Sequence, residues 1–490
     1  MADFITDRCA IPAPADRYWL KNAHVPIALV VDPDPVITAA QTRDGLVCVD
    51  IEVQAGAITK LRAAGEEDSE SSSESSSETV PEIDLRRGIV FPGFIDMHTH
   101  LDKGHVWERS PNTAGTFEDA LNLVKSDSNT HWDPEDLYRR MEFGLKCSYA
   151  HGTTAIRTHL DLFGEWTEVS LEVFQALRQA WADRITLQFV SLMPLDYGMT
   201  PAAEKLADRV AEIGGILGGF ALMNPEIDPQ LDRLFTLAQE RNLDLDLHTD
   251  ESGDPNEITL RQVALAALRH EWTGTIVCGH CCSLAVQAID EVTKTLELVK
   301  QANIGIVSLP MCNLFLQDRN QIASQDWNSI NQPRPDARTG SQSSTLDGRF
   351  ENRPYALTPR WRGVTLLHEL KYAGVPVAVA SDNCRDPFFG FGDHDVLEVL
   401  NQSTRIAQLD APYGDWCCTV SRTPANLLGL SQAGRIGVGL PADLILFRAR
   451  YFSELLSRSQ HDRVVLRKGQ PIDTTLPDYS ELDDLVGIGK

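Results

Sequence analysis

The chain has 490 residues, of which 44 are Lys or Arg against 70 Asp or Glu, giving a formal net charge of -26, and 42% of it is hydrophobic. That length exceeds one small core and suits a barrel of about 250 residues or more with a companion domain. The negative field excludes nucleic acid and anionic membrane surfaces as partners, because it repels phosphates before any local contact forms, whereas a small neutral molecule meets no such barrier.

Residues 1–10 (MADFITDRCA) have neither a basic region nor an apolar run, so no secretory signal is expected, and no stretch reaches about 18 uninterrupted apolar residues. The ten cysteines show no framework spacing and are expected as reduced thiols in a cytoplasmic protein. Cys278 and Cys281 form a C-x-x-C, but no second pair at zinc-site spacing accompanies them. The composition leaves room for a homo-oligomer.

In chain order, apolar runs at 27–31 and 46–61, and again at 442–447 and 463–468, are rich in Val, Ile and Leu and punctuated by Gly or Asp. They predict a small β-sandwich domain built from both chain ends, 1–91 and 430–490. Within it, 66–78 (EEDSESSSESSSE) has nothing to bury and predicts a surface loop.

From Gly88 onward, β-rich runs alternate with segments of helical period, the pattern of a parallel α/β sheet. The eight runs are 89–98, 153–159, 185–192, 219–223, 243–248, 275–280, 304–309 and 375–382. Between them, 230–241 (QLDRLFTLAQER) and 363–371 (GVTLLHELK) space apolar residues three to four apart, as helices packing on a barrel do. Eight parallel strands with crossover helices predict a (β/α)8 TIM barrel over 92–429. The polar segment 320–359 follows the seventh run, on the face where barrel active sites lie, and is either a lid or a non-catalytic excursion.

Metal-ligand side chains fall at the ends of these runs. The first ends in His98-Thr99-His100, and the two-residue period of a strand turns both imidazoles to one side. The fifth ends at His248, followed by Asp250 and Glu251; the sixth ends at His280, and the eighth at Asp382. Three neutral imidazoles and a carboxylate suit one divalent ion, Zn²⁺ or Fe²⁺, with an open position for a water of lowered pKa.

With these residues in view, the sequence resembles the amidohydrolase superfamily and, within it, the cytosine deaminase group. The resemblance rests on PGFIDMHTHLDK (92–103), IRTHLD (156–161), DLHTDE (246–251), Gly279-His280, NLFLQ (313–317), SDNCRDPF (381–388) and GLPADL (439–444). It implies His98, His100, His248 and Asp382 as ligands of a single metal, since the fourth run, GFALM, has no lysine for the carboxylated bridge of binuclear members. It also implies that Asp382 takes the proton as water attacks, that Glu251 shuttles it to the ring, and that His280 orients the oxygen.

The implied activity is hydrolytic deamination of cytosine or a close analogue. Another amino or N-alkylamino ring, such as a triazine, a creatinine-like ring or a modified pyrimidine, is the alternative. Leu195 occupies the position where the cytosine group places a glutamine, so the polar reader is lost or moved to Asp196 or Asn224. Asn383 replaces the group's second aspartate and can meet a substrate carbonyl; Phe388 can supply a ring face for a flat heterocycle.

Overall fold

The computed structural model describes residues 17–66, 80–318, 321–322, 355–356, 359, 361, 363–410 and 413–487. The Ser/Glu tract at 67–79 and most of 320–359 lie outside them, so the questions of a surface loop and of a lid fall outside the described residues.

Eight parallel strands run in chain order around one sheet: β1 (Phe94–Thr99), β2 (Thr153–Asp161), β3 (Thr186–Leu192), β4 (Ile216–Phe220), β5 (Leu245–Thr249), β6 (Ile276–His280), β7 (Ile304–Ser308) and β8 (Val377–Val379). A parallel bridge between Thr99 and Asp382 joins the last strand's end to the first, and Asp382 N donates to His98 O at 2.9 Å. Across the same seam the buried Asp96 carboxylate accepts hydrogen bonds from the Ser381 amide and hydroxyl. The sheet is thus a (β/α)8 barrel.

Its strands are largely buried on both faces, as parallel strands covered by helices must be, and among their polar side chains Arg157 is paired with Asp246 at 2.8 Å. Helices follow each strand, among them α1 (Phe117–His131), α2 (Pro134–Ala150), α3 (Ile227–Arg241) and α4 (Thr259–Arg269). Local chemistry sets their ends: Asp133 accepts from the Glu135 and Asp136 amides, with Pro134 at the first helical position of α2.

Two runs fall differently from their sequence-predicted places. The first breaks at Gly93: Val90–Pro92 pairs with Leu444–Leu446 in a separate sheet, and only Phe94–Thr99 enters the barrel. The reason is steric, because a side chain at Gly93 would strike the methyl of Thr154 on β2. The fourth strand lies three residues earlier than 219–223, at Ile216–Phe220, where two glycines permit close packing: a Cβ on Gly218 would come within 2.2 Å of Asp246 O.

Outside the barrel, two four-stranded sheets share one apolar core. One consists of Arg17–Pro26, Leu46–Gln54, Ala57–Ala63 and Glu82–Asp84, and the other of Val90–Pro92, Leu444–Leu446, Val464–Arg467 and Gln470–Pro471. Their inward residues follow the two-residue period: Val47, Val49, Ile51 and Val53 from the first, Leu444, Leu446, Val464 and Leu466 from the second. The expected strand at 27–31 is instead a 3-10 turn, Ile27–Leu29, begun by Pro26; the longest strand of its sheet, Arg17–Pro26, precedes it.

Candidate metal centre and active site

The C-terminal ends of the barrel strands bring four predicted ligands to one point. His98 and His100 from β1, His248 from β5 and Asp382 after β8 are all buried. His98 Nε2 lies 3.2 Å from His248 Nε2, and His248 Nε2 lies 3.3 Å from His100 Nε2. Asp382 Oδ1 is 3.2 Å from His100 Nε2 and 3.6 Å from His98 Nε2. Such separations match the edges of a tetrahedron around an ion with ligand bonds of about 2.0–2.2 Å.

Two further observations show that this donor set fits a divalent cation. Burial and then neighbouring cationic or imidazole groups hold the three histidines well below the usual histidine range, so they are neutral lone-pair donors. The Asp382 carboxylate is buried beside neutral imidazoles and the Cys312 thiol, an arrangement that is costly unless something electropositive compensates it. Asp382 and His280 also have positive φ angles of 63° and 67°, unusual for residues with side chains and typical of strain held at a functional site.

Glu251 and His280 form the opposite wall. His280 Nδ1 is 3.3 Å from Glu251 Oε1, and Asn313 Nδ2 donates to His280 Nδ1 at 3.0 Å and reaches Glu251 Oε1 at 3.4 Å. Asn313 and Gln317, one turn apart around the end of Pro310–Leu316, flank this pair; Gln317 Nε2 donates to Glu251 O at 3.3 Å. Because Asn313 donates to Nδ1, the His280 proton belongs on Nε2, which is buried without a protein partner among the described residues. Burial lowers the His280 pKa to about 3, so the ring is neutral. Burial, reinforced by the Asp382 charge, pushes the Glu251 carboxyl well above its ordinary range.

Asp250, adjacent in sequence, does different work. Its Oδ1 accepts from the Thr259 amide and hydroxyl and from the Leu260 amide at the start of α4.

These groups meet in a cavity of about 370 Å³ whose walls include Phe117, Leu121, Phe220, Leu222 and Phe388, a size typical of small-molecule sites. Phe388 lines this cavity, its ring 5.6 Å from that of Phe117. Asn383 also lines the cavity, but its Nδ2 is already bonded to Asp386 Oδ2 at 2.6 Å. Leu195 is buried in the core beside Gly219 and is not among the lining residues. Asp196 caps its own turn and Asn224 bonds Leu222 O and Gln230, so neither lines the cavity.

Three contributors escape the sequence reading. Lys103 forms a 2.6 Å ion pair with Asp161 in the cavity wall, and Asp161 N donates to Asp102 at 2.8 Å. His159 on β2 stacks 4.0 Å from the His98 ring, and its ligand atom falls within 4.8 Å of those of His98 and His248. Asn313 is the third. All three lie within the quoted motifs, HLDK, IRTHLD and NLFLQ, yet their partners are non-local and leave no trace in spacing. The nine described cysteines are all unpaired, and the buried Cys278 and Cys281 form no metal cluster among the described residues.

A parallel barrel with a histidine-aspartate cluster and a buried carboxyl group at its strand ends is an arrangement that can activate water for hydrolysis. Residues 131–472 match the model of the amidohydrolase family, and the chain belongs to that family. It is 46% identical over 477 residues to a pterin deaminase of Rhizobium rhizogenes, covering 97% of this chain and 98% of the relative. In structure it resembles 5-methylcytosine deaminase from Klebsiella pneumoniae liganded with 5-fluorocytosine, with a TM-score of 0.70, 22% identity, and coverage of 94% of this chain and 98% of that one. It also resembles N-isopropylammelide isopropylaminohydrolase from Burkholderia multivorans, with a TM-score of 0.68, 19% identity, and coverage of 94% and 100%. No helix among the described residues is long and apolar enough to cross a membrane.

Proposed function

We propose that this chain hydrolytically deaminates a pterin, a fused 2-amino-4-oxo heterocycle, in preference to cytosine. The observation that carries this reading is the cavity: metal ligands and the Glu251–His280 pair share it with walls of Phe117, Phe220, Leu222 and Phe388, surfaces suited to a flat aromatic bicycle. The extensive similarity to a pterin deaminase supports the same choice.

A divalent ion, Zn²⁺ or Fe²⁺, held by His98, His100, His248 and Asp382 would act as a Lewis acid and lower the pKa of water in the site. Asp382, buried beside the three imidazoles, takes the proton from the attacking water. Glu251, kept protonated by burial and by the Asp382 charge, gives its proton to the ring nitrogen beside the amino-bearing carbon. The Nε2 proton of His280 bonds the oxygen as it gains charge. Asp382 then passes its proton to the amino group, the exocyclic carbon-nitrogen bond breaks, and Glu251 recovers a proton from the hydroxyl, so ring-C-NH2 and water become ring-C=O and ammonia. Lys103 and Asp161 offer the polar edge that orients the heterocycle, the ammonium toward a ring carbonyl and the carboxylate toward an N–H.

The test is ammonia release by metal-replete protein from pterin, cytosine, 5-methylcytosine, isocytosine, an aminotriazine and creatinine, compared by kcat/KM. The highest value is expected for pterin. A higher value for any one-ring compound would replace pterin as the substrate, and absence of ammonia release from all six would overturn deamination.

A further inference from the structure

A second cluster of ligating side chains lies outside the cavity. His105, in the segment after β1, and His394, in the segment after β8, bring their Nε2 atoms to 3.3 Å. The Cys384 sulfur completes a set whose ligand atoms all lie within 4.8 Å of one another, and all three residues are only 2% exposed. The histidine pair repeats the 3.2–3.3 Å Nε2 separations found among His98, His248 and His100.

We propose that His105, Cys384 and His394 form a second metal site, structural rather than catalytic, that takes zinc or another thiophilic divalent cation. A simple hydrogen bond accounts poorly for the cluster. One imidazole-to-imidazole bond satisfies a single donor and acceptor, while both Nδ1 atoms are buried without partners among the described residues. The packing also brings α2 close to the ligand atoms. Gly144 sits within α2, where glycine weakens a helix, and a Cβ there would come within 3.0 Å of His394 Nε2. His105 and His394 further hold positive φ angles of 60° and 53°, conformations that a bound ion would over-determine.

Two neutral imidazoles and a thiolate suit a soft or borderline cation. On binding, the Cys384 thiol passes its proton to solvent and its sulfur bonds the ion, which keeps a net single positive charge. The carboxylate of Asp393, next to His394 in sequence, is fixed by His151 Nε2 at 3.0 Å and by the Tyr479 hydroxyl at 3.0 Å. The ion would staple the segment that follows His100 to the one that follows Asp382, already joined by the His105 N to Cys384 O bond at 3.1 Å.

The full-length protein, refolded or purified with excess zinc and dialysed, is expected to hold two zinc ions per chain, falling to one in Cys384→Ser and in His394→Gln. Cobalt exchange supplies a readout independent of activity, because the described catalytic ligands include no sulfur. A sulfur-to-cobalt charge-transfer absorption is expected in the wild type, retained in Cys312→Ser and lost in Cys384→Ser. If the Cys384 and His394 variants do not fold, the wild-type spectrum with its Cys312→Ser control decides alone. Absence of that absorption at saturating cobalt, or its loss in Cys312→Ser with retention in Cys384→Ser, would overturn the proposal.

Discussion

Replacing Asn313 by Asp alters one atom of the side chain yet should reverse the tautomer of His280. In the native arrangement Asn313 Nδ2 donates across 3.0 Å to His280 Nδ1, which leaves the ring proton on Nε2, facing the cavity. A carboxylate can only accept, so it would draw the proton to Nδ1 and present a lone pair to the oxygen that gains charge during attack. Loss of one such donor costs about 2.7–4 kcal/mol in the transition state, or roughly 10²–10³ in kcat. Asn313→Ala, which biases neither tautomer, should lose less. The assay is kcat for ammonia release at saturating substrate, with zinc or iron content measured on the same samples. Native-like kcat in Asn313→Asp at unchanged metal content, or a larger loss in Asn313→Ala, would refute the assigned role of His280.

Other expectations follow from the same geometry. Glu251→Gln keeps the shape but cannot shuttle a proton, and should lower kcat by about 10²–10⁴ with metal content unchanged. His248→Ala removes one of four converging donors and should lose both bound metal and activity, measured by elemental analysis and turnover. Phe388→Ala should raise KM up to about tenfold and leave kcat nearly intact, because an aromatic contact is worth about 0.5–1.5 kcal/mol. Arg463 and Asp395 form a buried double hydrogen bond, one arm at 2.8 Å, so Arg463→Met should cost about 3–5 kcal/mol in denaturant unfolding. Burial alone would push the Asp395 carboxyl up, but Arg463 and His151 hold it below its ordinary value. Its contribution is therefore present above the unfolded pKa of about 3.9 and lost as pH falls through the lower folded value. The native Tm should drop below about pH 4, and Asp395→Asn should flatten that drop.

The convergence of His98, His100, His248 and Asp382 was legible because strand period and strand ends are properties of short windows: two histidines two residues apart share a face whatever surrounds them. The barrel was legible for the same reason, although the edges of two strands moved. At 89–98 one apolar run serves two sheets, and only the contact between Gly93 and Thr154 reveals the break. At 219–223 the residues after Phe220 look like strand because they are apolar, but Ala221 and Leu222 line the cavity instead. Asn313, Lys103 and Asp161 were not assigned roles because each acts through a partner 33 to 62 residues away. Leu195, at the position where the cytosine group places a glutamine, packs beside Gly219 in the core, a placement that motif spacing does not reveal.

The seam between β1 and β8 has a consequence for how the protein matures. His98 and His100 leave the first barrel strand, whereas Asp382 arrives nearly 300 residues later and takes its place only when Thr99, Asp96 and Ser381 zip the cylinder shut. A nascent chain that has made seven strands holds His98 and His100 on an open edge strand and His248 inside the sheet, and lacks the Asp382 carboxylate. High-affinity metal capture is therefore expected to wait for barrel closure, so that retention of the ion through a chelating wash should distinguish closed barrels from chains that stalled before closure.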